Sequence, residues 1–165
     1  MKHSVIFDSS SAILLAKISI LGILAEKINI VFPESVKKET TAKKDSFDSK
    51  LILTLIEQNK LKIIKVNMPG ANKLMRDFNI GEGEAEAILL AKKEQCVICT
   101  DDGPSIKACK ILGLKFATAI HFLIQFYEQG LIDKPIAVEK LRLLEKFGRY
   151  GYEIIKDAKN KIEGE

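Results

Sequence analysis

The stretch "CVICTDDGPS", residues 96–105, sets the problem of the fold. An apolar run climbs through Val97, Ile98 and Cys99 to Thr100 and stops at two adjacent aspartates, Asp101 and Asp102. A helix-like segment, "GPSIKACKILG", follows at once and is stopped by Gly113. An apolar strand that ends on two like charges and turns into a helix is the signature of one edge of an α/β sheet. The pattern recurs upstream. "HSVIF" (3–7) ends on Asp8, and the serines after it can cap the apolar helix that begins there. "INIVF" (28–32) closes at Pro33, which opens "PESVKKETTAKK". "LKIIKV" (61–66) and "LKFAT" (114–118) complete five candidate strands.

The strands are continuously apolar rather than alternating, and helices separate them. That combination predicts a parallel sheet covered on both faces. Amphipathic helices are expected at 46–60 and 81–94, with further helices at "AIHFLIQFYEQG" and "PIAVEKLRLLEKFG" and a polar helical tail from residue 150. The organisation expected is one domain over residues 1–149 and a tail over 150–165. Ligands of such sheets bind beyond the carboxyl ends of the strands, where strand order reverses. If the first and fourth strands are neighbours, Asp8, Asp101 and Asp102 meet at one crevice.

Two helices offer further acids. At about 100° per residue, Glu39 shares a side with Ser35, Val36 and Ala42 and is expected to lean toward the core. On the helix at 81–94, Glu84 shares a stripe with Ala87, Ile88 and Ala91, whereas Glu86 falls on the side of Lys93, with Glu82 nearer that side. Taken singly, each acid has an ordinary explanation: Asp8 and Asp102 as helix caps, Glu84 as an acid in a first helical turn, Glu39 as a solvated residue. Taken together, several carboxylates aimed at one sheet edge repel unless protonated or neutralised by a cation. A hard divalent ion with oxygen ligands, Mg²⁺ or Mn²⁺, answers that repulsion, and its open positions suit hydrolysis of a phosphodiester.

Bulk properties set bounds. The 165 residues are 47% hydrophobic, enough to bury a core. No apolar run of about 18 residues exists, and Asp8 with three serines interrupts the start before a signal-peptide core can form. Three cysteines, an odd number, fit a reducing cytoplasmic compartment. A net charge of +4 helps an approach to phosphate backbones, and the lysine and glutamate content equally fits a heat-adapted surface. "CVIC" has metal-ligand spacing, but residues three apart on a strand face opposite sides, so Cys96 and Cys99 read as core. His121, in an apolar helix, reads as a packed histidine. "GEGEA" lacks a phosphate-loop lysine.

These residues resemble the PIN-domain family. "VIFDSSSAILLAKI" is similar to the family's opening block, "VFPESVKKE" to its second, and "GEGEAEAILLAKKEQCVICTDD" to its third and fourth, over roughly residues 3 to 130. Many members carry Asp where this chain has Glu84. A "GEAEA" block in place of "DA" resembles a prokaryotic branch similar to VapC-type toxins. The resemblance implies a three-layer α/β/α sandwich with strand order 3-2-1-4-5, often homodimeric, and a metal-dependent ribonuclease. It implies that Asp8, Glu39, Glu84 and Asp102 hold Mg²⁺ or Mn²⁺, with Asp101 an extra acid and with Ser10 and Thr100 in support. RNA is the expected substrate and an antitoxin protein the expected partner. With three arginines in all, the grip on RNA would rest on lysines. A non-catalytic PIN-like module that binds RNA or protein is the alternative. A receiver-type domain, phosphorylated on an aspartate, is a third reading, without a well-placed lysine after the last strand.

Overall fold

A computed structural model describes residues 2–164. The chain divides into two compact units, Met1–Ala117 and Thr118–Glu165.

The first unit is a five-stranded, all-parallel sheet flanked by helices, with strand order β3-β2-β1-β4-β5. The strands are β1 (Ser4–Phe7), β2 (Asn29–Pro33), β3 (Leu61–Ile64), β4 (Val97–Cys99) and β5 (Phe116–Ala117). Register places Ile6 beside Val31 on one side and Ile98 on the other. With a side-chain period of two, these three face one way while Val5, Phe7, Ile30 and Phe32 face the other. Both sets are buried, which is why the strands read as unbroken apolar runs. The rings of Phe7 and Phe32 lie 6.3 Å apart.

Seven helices connect the strands: α1 (Ser9–Lys17), α2 (Leu21–Lys27), α3 (Glu34–Thr40), α4 (Phe47–Glu57), α5 (Ala71–Phe78), α6 (Glu82–Glu94) and α7 (Gly103–Leu112). On the face of Ile6, Val31 and Ile98 the core is filled from α6 by Ala85, Ala87, Ile88, Leu90 and Ala91, and from α7 by Ala108 and Cys109. The small residues of α6 let that helix sit close to the strands. The chain runs β1, β2, β3 outward to one edge, then returns through α5 and α6 to place β4 on the far side of β1. Strand order therefore reverses between β1 and β4, and the reversal lies where Asp8 and the Asp101–Asp102 pair leave the sheet.

The second unit is helical: α8 (Ala119–Glu128), α9 (Lys134–Phe147) and α10 (Tyr152–Glu163). The first two starts have a local cause. Thr118 and Asp133 cap α8 and α9 through their side chains, and Pro135 occupies the first turn of α9. Leu141 and Leu144 of α9 and Ile155, Ala158 and Ile162 of α10 are buried. His121 is exposed on α8, against the packed position expected for it, because the buried stripe of that helix runs through Ile120, Phe122, Leu123 and Phe126. Among the described residues, no single helix is long and apolar enough to cross a membrane.

Candidate active site at the carboxyl edge of the sheet

Asp8 is the first residue beyond β1 and is fully buried. It caps α1, with Oδ1 accepting the Ser11 amide at 3.2 Å and the Ser10 hydroxyl at 2.7 Å. The Thr100 hydroxyl, at the end of β4, donates to Oδ2. Both hydroxyls are themselves oriented. Ser10 Oγ accepts the amide of Asp101 at 3.0 Å, and Thr100 Oγ1 accepts the amide of Asp102 at 3.2 Å. A hydroxyl has one proton to give, so these amides direct both protons at Asp8. Burial nevertheless pushes the Asp8 carboxyl up to about 7; the three hydrogen bonds pull it down, and the Glu84 carboxylate adds a smaller upward push.

The adjacent acids look in different directions. Asp102 caps α7, accepting from the Ser105 amide at 3.0 Å and the Ser105 hydroxyl at 2.7 Å. Asp101 accepts instead from the Ser11 hydroxyl on α1. Consecutive residues on the extended backbone diverge, so the paired charges are drawn apart by separate donors.

The glutamates come from α3 and α6. The residue before α6 is Gly81, which has no side chain to cap the helix. Glu84, in the first turn, turns its carboxylate back toward Gly81, and the nearby amides of Gly81 and Glu84 hold its pKa down. Glu39, 44 residues upstream of Gly83, takes the Gly83 amide at 3.2 Å on Oε1 and the Ser9 hydroxyl on Oε2. Glu84 is half-buried, and burial raises its pKa first of all, with repulsion from Glu39 and Asp102 raising it further. Glu84 in turn raises Asp8. Glu84 thus links the expected set: it feels Glu39 and Asp102 and pushes on Asp8.

The PIN-domain family model matches residues 4–162, almost the whole chain. This chain belongs to the PIN-domain family. Comparison with curated proteins finds no match. PIN domains are generally nucleases, so hydrolysis of a phosphodiester is the activity of the family at large, and divalent metals typically serve it.

The PIN-domain residues present fit such an ion in chemistry: Asp8, Glu39, Glu84 and Asp102 supply hard oxygen donors, with mutual repulsion for a cation to relieve. Among the described residues, however, no three His, Cys, Asp or Glu side chains already close around one point. The reason is visible in the hydrogen bonds. Each of these acids is engaged with hydroxyls or helix N-terminal amides, which fill the role of counter-charge as the site stands. The thiols are poor nucleophile candidates. Burial holds Cys99 well above the usual thiol range and raises Cys109 to about 11, so both stay protonated at neutral pH.

Of the PIN-domain residues expected from sequence, Asp8, Glu39, Glu84 and Asp102 form one electrostatically coupled group, and Ser10 and Thr100 both touch Asp8. Asp101 is held to one side by Ser11. Three expectations are corrected. Glu39 is an exposed residue at the sheet edge rather than one leaning into the core, because α3 packs against α6 with that carboxylate beyond the strands. Glu86, on the side of Lys93 where an exposed charge is expected, is instead half-buried, accepting the Ser35 hydroxyl of α3. Cys96 precedes β4 and is only partly buried.

Sequence reading missed Ser9, Ser11, Ser35 and Ser105 as acid partners. The triplet Ser9–Ser10–Ser11 held the signal. Successive helical residues point about 100° apart, so three serines reach three acids: Glu39, Asp8 and Asp101 in turn.

Proposed function

We propose that this PIN domain is a Mg²⁺- or Mn²⁺-dependent endoribonuclease whose ion is held by Asp8, Glu39, Glu84 and Asp102. The supporting observation is the position of Glu84, which feels the charges of Glu39 and Asp102 and itself pushes up the Asp8 carboxyl, at the point where strand order reverses. When bound, the ion would activate water and stabilise the leaving oxygen of the RNA backbone. The chain's own part is to hold the donors. Ser10 and Thr100 keep both oxygens of Asp8 aligned, so that Asp8 can shed its proton as a cation enters without losing its orientation. Ser105 orients Asp102 through Oδ2, and Ser9 orients Glu39 through Oε2. Asp101 stays outside the set and adds negative potential nearby. The uneven burial divides the labour: Asp8 is rigid and buried, whereas Glu39 and Glu84 are longer and more open.

An antitoxin partner, a toxin role, a cytoplasmic location and a homodimer belong to this proposal on the strength of the VapC-like resemblance and the cysteine usage. The apolar side chains of α1 give little help to the dimer. They are almost all buried in this chain, and the exposed large apolar residues of the first unit are Ile23, Phe47 and Ile111.

A second reading has an observation of its own. Asp8, Asp102 and Glu84 each serve a helix N-terminus, so the same residues suit a non-catalytic module that binds RNA or protein. Calorimetric titration of Mn²⁺ into metal-stripped protein, with cleavage of structured and unstructured RNA followed in Mn²⁺ and in EDTA, separates the two. Metal uptake with EDTA-sensitive cleavage supports the nuclease; RNA binding without metal uptake or cleavage supports the module.

A further inference from the structure

Glu86 lies outside the four acids, yet it has a partner that the proposed chemistry does not use. Ser35 sits in the first turn of α3, 8% exposed, and donates its hydroxyl to Oε2 of Glu86. A serine in a first turn has no helical carbonyl one turn behind it to accept its proton. Its acceptor must come from another element, and α6 provides it.

The same two helices share a second bond. Four residues after Ser35, Glu39 accepts the amide of Gly83, which lies three residues before Glu86. Ser35 and Glu39 are about one turn apart on α3, and Gly83 and Glu86 nearly one turn apart on α6. The bonds therefore run in opposite order along the two helices, and each helix offers one glutamate to the other. Two bonds a turn apart fix both slide and rotation. Glu84 lies between the two anchor points of α6, so the spacing from Glu39 to Glu84 depends on both bonds. The approach is close: a methyl group at Gly83 would stand 2.7 Å from Oε1 of Glu39.

We propose that Ser35 and Glu86 form a positioning clamp that holds α3 against α6 so that Glu39 and Glu84 present their carboxylates to one cation. The clamp itself follows from the two helices; its consequence for the ion rests on the nuclease reading above. Glu86 touches neither ion nor substrate in this role.

The test compares Ser35→Ala, Glu86→Ala, Glu86→Gln and the double variant Ser35→Ala/Glu86→Ala. The first readout is hydrogen exchange at the Gly83 amide, measured by NMR without metal. That amide is in the first turn of α6 and has no intrahelical acceptor, so its protection reports the bond to Glu39. The second readout is Mn²⁺ affinity by calorimetry, with melting temperature recorded for each variant. Glu86→Ala and Ser35→Ala should each speed Gly83 exchange and weaken Mn²⁺ binding about tenfold, in the range for residues that orient ligands from behind. The double variant should be no worse than either single one, because both remove the same bond. Glu86→Gln keeps an acceptor oxygen and should restore both readouts most of the way. A lowered melting temperature with Gly83 exchange and Mn²⁺ affinity unchanged would reduce the pair to ordinary packing and overturn the clamp. Absence of Mn²⁺ uptake by the wild-type protein would remove the metal reading instead, and Gly83 exchange alone would then decide the clamp.

Discussion

The Thr100 hydroxyl donates to Oδ2 of Asp8 across the seam between β4 and β1 while accepting the amide of Asp102. The paired aspartates that end the fourth strand therefore act twice: their carboxylates lie at the crevice, and their amides orient the two hydroxyls that grip Asp8. Thr100→Val keeps the shape and removes one grip. Leaving a buried acceptor unsatisfied costs about 1–3 kcal/mol, so the melting temperature should fall. The Asp8 carboxyl should also rise further above 7, because a bond that lowers it is gone. Carbonyl-carbon NMR of Asp8 across a pH series checks this; an unmoved midpoint would show that the hydroxyl does not matter to the charge.

Asp8 gives the metal-free protein a distinctive pH dependence. Its carboxyl is raised by burial from 3.8 in the unfolded chain to about 7, so between those values the folded state holds a proton that the unfolded state has lost. Stability should fall as pH rises from about 4 to about 7 and then level off, a loss on the order of 4 kcal/mol from this group. Asn is as good a helix cap as Asp and carries no charge. Asp8→Asn should therefore flatten the slope and melt higher at pH 8. Urea denaturation of both proteins at several pH values decides it: equal slopes would mean that Asp8 is not the titrating group.

Gly83 separates stability from function. Ala favours a helix over Gly, by up to about 1 kcal/mol in an interior and less in a first turn, but its methyl would press on the Glu39 carboxylate. That carboxylate ends a flexible side chain, so it should move while the backbone holds. Gly83→Ala should keep its melting temperature within a few degrees and lose Mn²⁺ affinity about tenfold. Thermal scans with and without Mn²⁺ give both numbers; a variant that binds Mn²⁺ as the parent does would free Glu39 from any part in the site.

The fold was legible because it rests on local signals. Continuous apolar strands, serines and aspartates at helix starts and Gly113 at a helix end all act within a few residues. Helix α3 was read too long, to residue 44, and stops at Thr40. The hydroxyls of Thr40 and Thr41 turn back on carbonyls of their own helix, and Ser46 starts the next one. Asp8 and Asp102 stood out because they follow strand ends, whereas Glu39 and Glu84, on α3 and α6, came from helix geometry and the family resemblance. The surroundings of these acids were less legible. A helical wheel separates Glu84 from Glu86 by about 200° but does not say that α3 packs where Glu86 points. The Ser35–Glu86 bond joins residues 51 positions apart, and the Glu39–Gly83 bond joins residues 44 apart. Pairings at that range are set by how helices dock on the sheet.

The central claim is that the four coupled carboxylates hold a cation that drives RNA cleavage, and Glu84 is its hub. The most direct measurement is cleavage of a single-stranded RNA by metal-stripped protein across a Mn²⁺ titration, for wild type and Glu84→Gln side by side. Gln keeps the shape of Glu84 and removes a charge that burial, Glu39 and Asp102 already disfavour. The variant should fold at least as stably as wild type, need at least about tenfold more Mn²⁺ and cleave at least about tenfold more slowly. Wild-type cleavage that is indifferent to Mn²⁺ and EDTA, or a Glu84→Gln protein with the wild-type Mn²⁺ curve, would contradict the account.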